Sequence, residues 1–130
     1  MSKTRALLID DEKDFLFVMS QRVKTWGYDV VTTSNGNVGV EMIKENQVDI
    51  VVVDYMMPEI DGLATVTKIR QINKSIPVIM FTAYPDQRAI EGSEKLGISA
   101  FIPKFSSYSD SQSALKTALG IAEKRLSSDK

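Results

Sequence analysis

The segment Val48–Asp54, "VDIVVVD", decides how the rest of the chain is interpreted. It is almost continuously apolar and rich in β-branched side chains, which is typical of a strand buried on both faces of a parallel sheet. The segment "PVIMFT", residues 77–82, has the same character. Because the first segment ends in Asp54 and the second in Thr82, the pattern predicts a buried sheet with polar groups at its strand ends.

Apolar runs alternate with helical patterns five times along the chain. Further short runs lie at Ala6–Ile9, around Val30–Val31 and at Ser99–Ile102. This alternation predicts an α/β fold, a five-stranded parallel sheet with helices on both faces, because βα crossovers are right-handed. The clearest helical stripes are Phe15, Val18, Met19, Val23 and Trp26; Leu63, Val66, Ile69 and Ile72, with Asp61 as N-cap; and Leu115, Ala118, Leu119, Ala122 and Leu126.

The composition excludes several classes of chemistry. The chain has no cysteine and no histidine, so disulfides, thiol chemistry, imidazole zinc sites and Ser/His nucleophile pairs are excluded. A net charge of −1 gives no reason to expect a direct nucleic-acid or membrane partner. No signal-peptide pattern and no apolar run of about 20 residues is present, so we expect a cytoplasmic protein. The glycine-rich motifs that bind nucleotide phosphates, G-x-G-x-x-G and G-x-x-x-x-G-K-[ST], do not occur in the sequence. No nucleotide-binding residues are therefore expected.

Carboxylates gather at the predicted strand ends. Asp10 and Asp11 follow the first strand and Asp54 the third, with Thr82 and Lys104 at the ends of the fourth and fifth. Ligands bind beyond the carboxyl ends of parallel strands. Two like charges about 4 Å apart repel by about 4 kcal/mol at an effective dielectric of about 20. Since one ammonium cannot neutralise three acids, we expect Mg²⁺ (or Mn²⁺) to be held here.

A metal beside a lone carboxylate suggests an aspartyl phosphate. We predict Asp54 as the phosphoryl acceptor and a metal-sharing carboxylate, because it stands alone at its strand end. Asp11 is predicted as a direct metal ligand and Asp10 as a direct or water-mediated one. Lys104 and the Thr82 hydroxyl would neutralise the remaining phosphoryl oxygens.

Four motifs in order carry a resemblance to a known family. They are "LLIDDE" (7–12), "VDYMMPEIDG" (53–62), "IMFTAY" (79–84) and "GISAFIPKF" (97–105). With them, the sequence resembles the receiver domain of two-component response regulators over nearly its whole length. The resemblance implies a doubly wound, flavodoxin-like sheet of order 2-1-3-4-5. The length predicts a single domain over residues 1–130, with a core at 4–126 and a polar tail at 127–130, and the resemblance makes it a receiver domain.

The resemblance also implies roles and partners. The backbone carbonyl of Met56 becomes a further metal ligand, and Phe101, three positions before Lys104, becomes a switch residue. The phosphoryl donor would be a histidine kinase or a histidine phosphotransfer protein. The output would pass through the helix 4, strand 5 and helix 5 surface to a downstream effector protein or a covalently linked output domain. A phosphorylation-dependent homodimer stays open, and the domain is expected to be a switch and no enzyme.

The residue after Lys104 departs from the family pattern. Receivers usually have proline there, often after a cis bond, whereas this chain has Phe105. A cis bond before a residue other than proline costs roughly 2.5–4 kcal/mol, so we predict a trans Lys104–Phe105 bond. Pro103 is compatible with the edge strand that strand 5 should form.

Simpler interpretations exist for each group. Asp10 or Asp11 could cap the first helix, Asp54 could be a loop acid, and Phe101 could be a core residue. An Asp-nucleophile phosphatase is a second functional hypothesis, although Met56 stands where such enzymes carry a second carboxylate. A receiver that only docks, without phosphorylation, is a third. The sequence is compatible with a stand-alone receiver and with one taken from a longer protein.

Overall fold

The computed structural model describes residues 3–57, 60–83, 86–104 and 108–128, without the side chains of 108–110, 127 and 128. Within these ranges five strands alternate with five helices. The elements are β1 Arg5–Ile9, α1 Lys13–Thr25, β2 Asp29–Thr33, α2 Gly36–Lys44, β3 Ile50–Val53, α3 Gly62–Ile72, β4 Val78–Thr82, α4 Gln87–Lys95, β5 Ala100–Pro103 and α5 Tyr108–Ser128. Two residues of the predicted polar tail, 127 and 128, thus belong to α5.

The strands form one parallel sheet of order β2-β1-β3-β4-β5. The predicted fold class and strand order are therefore confirmed. β3 begins at Ile50, two residues later than the apolar run suggested, and the Asp49 carboxylate accepts a hydrogen bond from Arg5 N just before it. Pro103 lies on β5, an edge strand, where its missing N–H is tolerated.

Alternate side chains of each strand enter two separate cores, one on each face of the sheet. Leu8 and Val52 pack with residues of α1 and α5, whereas Leu7 and Val51 pack with residues of α2, α3 and α4. In α1 the buried positions are Leu16, Met19, Ser20 and Val23. Val18 and Ile72, which belong to the predicted stripes, are exposed because each faces away from the sheet.

Helix ends follow local chemistry. The Asp61 side chain accepts a hydrogen bond from Ala64 N at 2.8 Å, so its predicted N-cap role is confirmed. Asn35 and Asp86 cap α2 and α4 in the same way. Gly97 adopts φ +65 after α4, a conformation that favours glycine. No helix among the described residues is long and apolar enough to cross a membrane.

Candidate functional site

The topology brings the acids of β1 and β3 together. The two strands are neighbours, with Ile9 paired to Val53, and Asp54 N donates to Ile9 O at 2.9 Å. Asp10 and Asp54 therefore leave the same edge of the sheet side by side. Both are buried, with exposures of 3% and 5%. A buried carboxylate pair at the ends of neighbouring strands requires compensating positive charge or a bound proton.

Three carboxylates form a cluster at this end of the sheet, with Glu12 in the place where the sequence suggested Asp11. Asp10, Glu12 and Asp54 each offer an oxygen, and these oxygens lie within 4.8 Å of one another. Asp11 is exposed and is not in this group, but its charge helps to raise the pKa of Asp54. Its predicted role as a direct metal ligand stays a prediction. We call Asp10, Glu12 and Asp54 the acid cluster.

Helix capping does not account for the acid pair. The residue at the N-cap of α1 is Glu12, so neither Asp10 nor Asp11 occupies that position. Oδ1 of Asp10 instead accepts a hydrogen bond from Glu12 N at 3.0 Å. This bond turns the chain from β1 toward α1 and holds Asp10 in the cluster.

Lys104 supplies a cation to the acid cluster. Its Nζ lies 2.5 Å from Asp10 Oδ2, 3.6 Å from Asp54 Oδ2 and 3.8 Å from Glu12 Oε1. The same ammonium lies 3.9 Å from the centroid of the Phe15 ring, a cation–π contact. The predicted convergence of Lys104 with Asp10 and Asp54 is thus observed.

Main-chain and hydroxyl contacts fix the position of Lys104. Its N–H donates to Thr82 O at 2.7 Å. The buried Ser111 hydroxyl lies 3.0 Å from Pro103 O and 3.3 Å from Lys104 O, and it donates to these carbonyls. The predicted trans bond between Lys104 and Phe105 falls outside the described residues.

Burial controls the protonation of the two inner acids. Burial raises the pKa of Asp10 to about 6, although Lys104 and the Glu12 N–H act in the opposite direction. Burial also raises the pKa of Asp54, against the charge of Lys104 and a hydrogen bond from the Thr82 hydroxyl. Oδ1 of Asp54 is buried and has no hydrogen-bond partner in the described part of the chain.

These features fit a hard divalent cation. Three carboxylates face one ammonium, and among the residues that the structure describes a buried oxygen of Asp54 has no hydrogen-bond partner. Mg²⁺ prefers carboxylate, carbonyl and water oxygens and is commonly held by few carboxylates. The role of the Met56 carbonyl stays a prediction; the Met56 side chain itself is exposed.

Gly62 holds the segment after β3 against the start of α3. Its N–H donates to Tyr55 O at 2.7 Å. A Cβ built on Gly62 would lie 2.3 Å from Asp54 O and 2.8 Å from Tyr55 Cα, and both of these are backbone atoms. Only glycine fits this approach, so the Asp61-Gly62 motif places Asp54 through packing as well as through a helix cap.

Thr82 and Phe101 lie on the β4–β5 side of the site. Thr82 is fully buried at the end of β4. Phe101 pairs with Met80 in the sheet and is partly buried against the core formed with α2, α3 and α4. Its predicted switch role stays a prediction.

Sequence reasoning missed three residues of this site. Glu12 could have been found, since it directly follows the acid pair. Phe15 and Ser111 carry no comparable signal, because each resembles an ordinary helix residue until the fold brings it to Lys104.

The chain is similar in sequence to a known protein family and to several transcriptional regulators. Residues 6–116 match the family model described as "Response regulator receiver domain". The transcriptional regulatory protein ZraR of Escherichia coli is 30% identical over 113 residues, which are 87% of this chain and 26% of that protein. The probable transcriptional regulator ycf27 of Porphyridium aerugineum is 31% identical over 130 residues, 99% of this chain and 53% of that protein. The chain thus spans only part of the length of these relatives.

Solved structures of response regulators superpose on this chain. A response regulator receiver domain protein from Clostridium thermocellum superposes with a TM-score of 0.86 at 26% identity, covering 98% of this chain and 99% of that one. The response regulator TrrA from Thermotoga maritima, in complex with Mg²⁺ and BeF, gives a TM-score of 0.76 at 25% identity, covering 88% and 98%.

Proposed function

This chain belongs to the response regulator receiver domain family, and from that premise we propose that it is a signalling switch whose Asp54 accepts a phosphoryl group. The observation that carries the proposal is the state of the Asp54 carboxylate. It is buried, it lies 3.6 Å from the Lys104 ammonium, and its Oδ1 has no hydrogen-bond partner among the described residues. A buried carboxylate oxygen without a partner is available as a nucleophile.

The proposed donor is the phosphorylated imidazole of a histidine kinase or a histidine phosphotransfer protein. An oxygen of Asp54 attacks phosphorus in line, and the phosphorus–nitrogen bond breaks. The bonding pair remains on the imidazole nitrogen, which takes up a proton, and Asp54 becomes an acyl phosphate. Lys104 exchanges part of its contact with Asp10 for a phosphoryl oxygen, and the Thr82 hydroxyl donates to another.

The transfer needs a divalent cation, which we propose is Mg²⁺ (or Mn²⁺). The residues that would hold it are Asp10, Asp11, Asp54 and the carbonyl of Met56. When bound, the cation neutralises charge on the carboxylates and on a phosphoryl oxygen. The buried acids and the influence of the Asp11 charge on Asp54 support this assignment.

The proposed output is a change in the surface formed by α4, β5 and α5. Movement of Thr82 toward the phosphoryl oxygens would free space beside β4 and let Phe101 turn inward. Support comes from the sheet register, in which Phe101 pairs with Met80, two residues before Thr82. The relatives named above are transcriptional regulators of greater length. We therefore propose a covalently linked output domain as the recipient, ahead of a separate effector protein.

Intact-mass measurement with a small phosphodonor such as acetyl phosphate tests the proposal. The wild-type chain should gain one phosphoryl group with Mg²⁺ and none with a chelator. Asp54→Asn should abolish the gain. Asp49→Asn is the matched control, because Asp49 lies at the opposite end of the same strand and is exposed. Full labelling of Asp54→Asn, or equal labelling in chelator, would contradict the assignment.

A further inference from the structure

Glu12 occupies a helix-capping position without capping the helix. It is the N-cap residue of α1, yet its side chain accepts no cap hydrogen bond from the described residues. The N-cap residues of α2, α3 and α4 all accept such bonds, and they are Asn35, Asp61 and Asp86. Since Asn, Asp and Ser are the preferred N-caps, glutamate is a poor choice for the helix alone.

The Glu12 carboxylate instead faces the acid cluster. Its Oε1 lies 3.8 Å from Lys104 Nζ, and its side chain contributes an oxygen within 4.8 Å of those of Asp10 and Asp54. The backbone of Glu12 is tied to the same place, because its N–H donates to Asp10 Oδ1. The side chain is 65% exposed, so it borders solvent at the mouth of the cluster.

A second observation points to a ligand at this place. The Asp54 side chain is 5% exposed, and its Oδ1 has no hydrogen-bond partner within the described ranges. The three carboxylates carry three negative charges against the single positive charge of Lys104. A divalent cation would supply the two charges that remain and a partner for the oxygen.

We propose that Glu12 is an additional carboxylate of the divalent-cation site, reaching the cation or its bound water from the solvent side. The inference rests on the metal site of the proposed function and extends it to a residue outside the acid pair. Glutamate suits this role because its extra methylene carries the carboxylate past the helix end. An aspartate here would be short enough to bond to the N–H groups of the first turn.

Isothermal titration of the chain with Mg²⁺ tests the role without any phosphodonor. Glu12→Gln and Glu12→Asp should each raise the Mg²⁺ dissociation constant roughly tenfold, as loss of supporting metal contacts does. Asp14→Asn is the matched control, since Asp14 is an exposed acid in the first turn of α1 outside the cluster, and its effect should be much smaller. Glu12→Asp should also raise the melting temperature without metal, because aspartate is a better cap.

The Glu12→Asp variant separates a contact from mere charge. Wild-type Mg²⁺ affinity in Glu12→Asp would overturn the proposal, and so would equal losses in Glu12→Gln and Asp14→Asn. Absence of Mg²⁺ binding by the wild-type chain would overturn it as well. Normal Mg²⁺ binding with the expected variant effects, but no phosphoryl gain, would uphold this inference and contradict the proposed function.

Discussion

The Lys104 ammonium lies 2.5 Å from Oδ2 of Asp10, and both side chains are more than nine-tenths buried. The ion pair spans the sheet edge from the end of β1 to the end of β5. Removing two charges from water costs free energy that a close contact only partly returns. The contribution of this ion pair to the free energy of unfolding therefore depends on whether Asp10 is protonated.

The stability of the metal-free protein should fall as the pH rises from about 5 to 7. Burial raises the pKa of Asp10 to about 6, above the ordinary value, so the folded state binds this proton more tightly than the unfolded state does. The pKa of Asp54 is raised by burial in the same direction. Urea denaturation in chelator at several pH values measures the trend. The chain has no histidine, whose titration would otherwise fall in this range.

Asp10→Asn provides the control for this pH dependence. Its free energy of unfolding should change less between those pH values than that of the wild type. Stability that increases over this range in the wild-type protein would show that the folded-state pKa of these acids is not raised.

Asp54→Asn should stabilise the metal-free protein by about 1 kcal/mol, because it removes a negative charge that burial disfavours. Such a gain should raise the melting temperature by about 3–5 °C in a domain of this size. Differential scanning calorimetry in chelator measures it, with Asp49→Asn as the exposed control. A lower melting temperature would mean that the charge of Asp54 is already well compensated by Lys104.

Gly62→Ala should destabilise the fold by about 2 kcal/mol or more, since its Cβ would meet backbone atoms of Asp54 and Tyr55. The rate of phosphoryl gain should fall as well, because relief of the clash displaces Asp54. Denaturant unfolding and intact-mass time courses measure the two effects. Gly120→Ala is the control, because no described atom outside its own helical turn lies within 4 Å of a Cβ there.

Arg70→Met should cost about 2–4 kcal/mol of stability, because one guanidinium donates to four backbone carbonyls. Its partners are Leu96 O, Gly97 O, Asn73 O and Ile76 O. Loss of these bonds frees the end of α4 from α3 and the loop before β4.

In Arg70→Met, amide hydrogen exchange should become faster than in the wild type at the end of α4, and it should change much less in β1. This difference distinguishes local release of α4 from a general loss of stability. Arg22→Met on the exposed face of α1 should change stability by less than about 0.5 kcal/mol. An Arg70→Met protein as stable as the wild type would show that water replaces the guanidinium without loss.

The fold and the acid pair were accessible from the sequence, because buried parallel strands and strand-end carboxylates leave local patterns. The strand run "VDIVVVD", together with the rule that sites form beyond the carboxyl ends of parallel strands, was sufficient to place Asp54 beside Asp10. Val18 and Ile72 were assigned to buried stripes wrongly. Apolar spacing alone cannot tell whether Val18 or the adjacent Met19 faces the sheet. Ile72 closes a run spaced by three residues throughout, and such a run drifts around a helix of 3.6 residues per turn.

The composition of the site was less accessible. Glu12 reaches the cluster because the Asp10–Glu12 turn redirects the chain, and Ser111 reaches Lys104 only through the packing of α5 on β5. The phosphoryl and metal roles of Asp10, Asp11, Asp54, Met56, Thr82, Phe101 and Lys104 stay predictions until the measurements above are made. Residue type and position restrict which side chains can take these roles. Metal binding and phosphoryl transfer also depend on interatomic distances, which no sequence pattern encodes.

The main-chain hydrogen bond from Lys104 to Thr82 couples the two sides of the site mechanically. A displacement of Thr82 at the end of β4 must either shift the peptide of Lys104 as well or break this hydrogen bond. The position of the Lys104 ammonium therefore depends on that of the Thr82 hydroxyl, through one contact between adjacent strands.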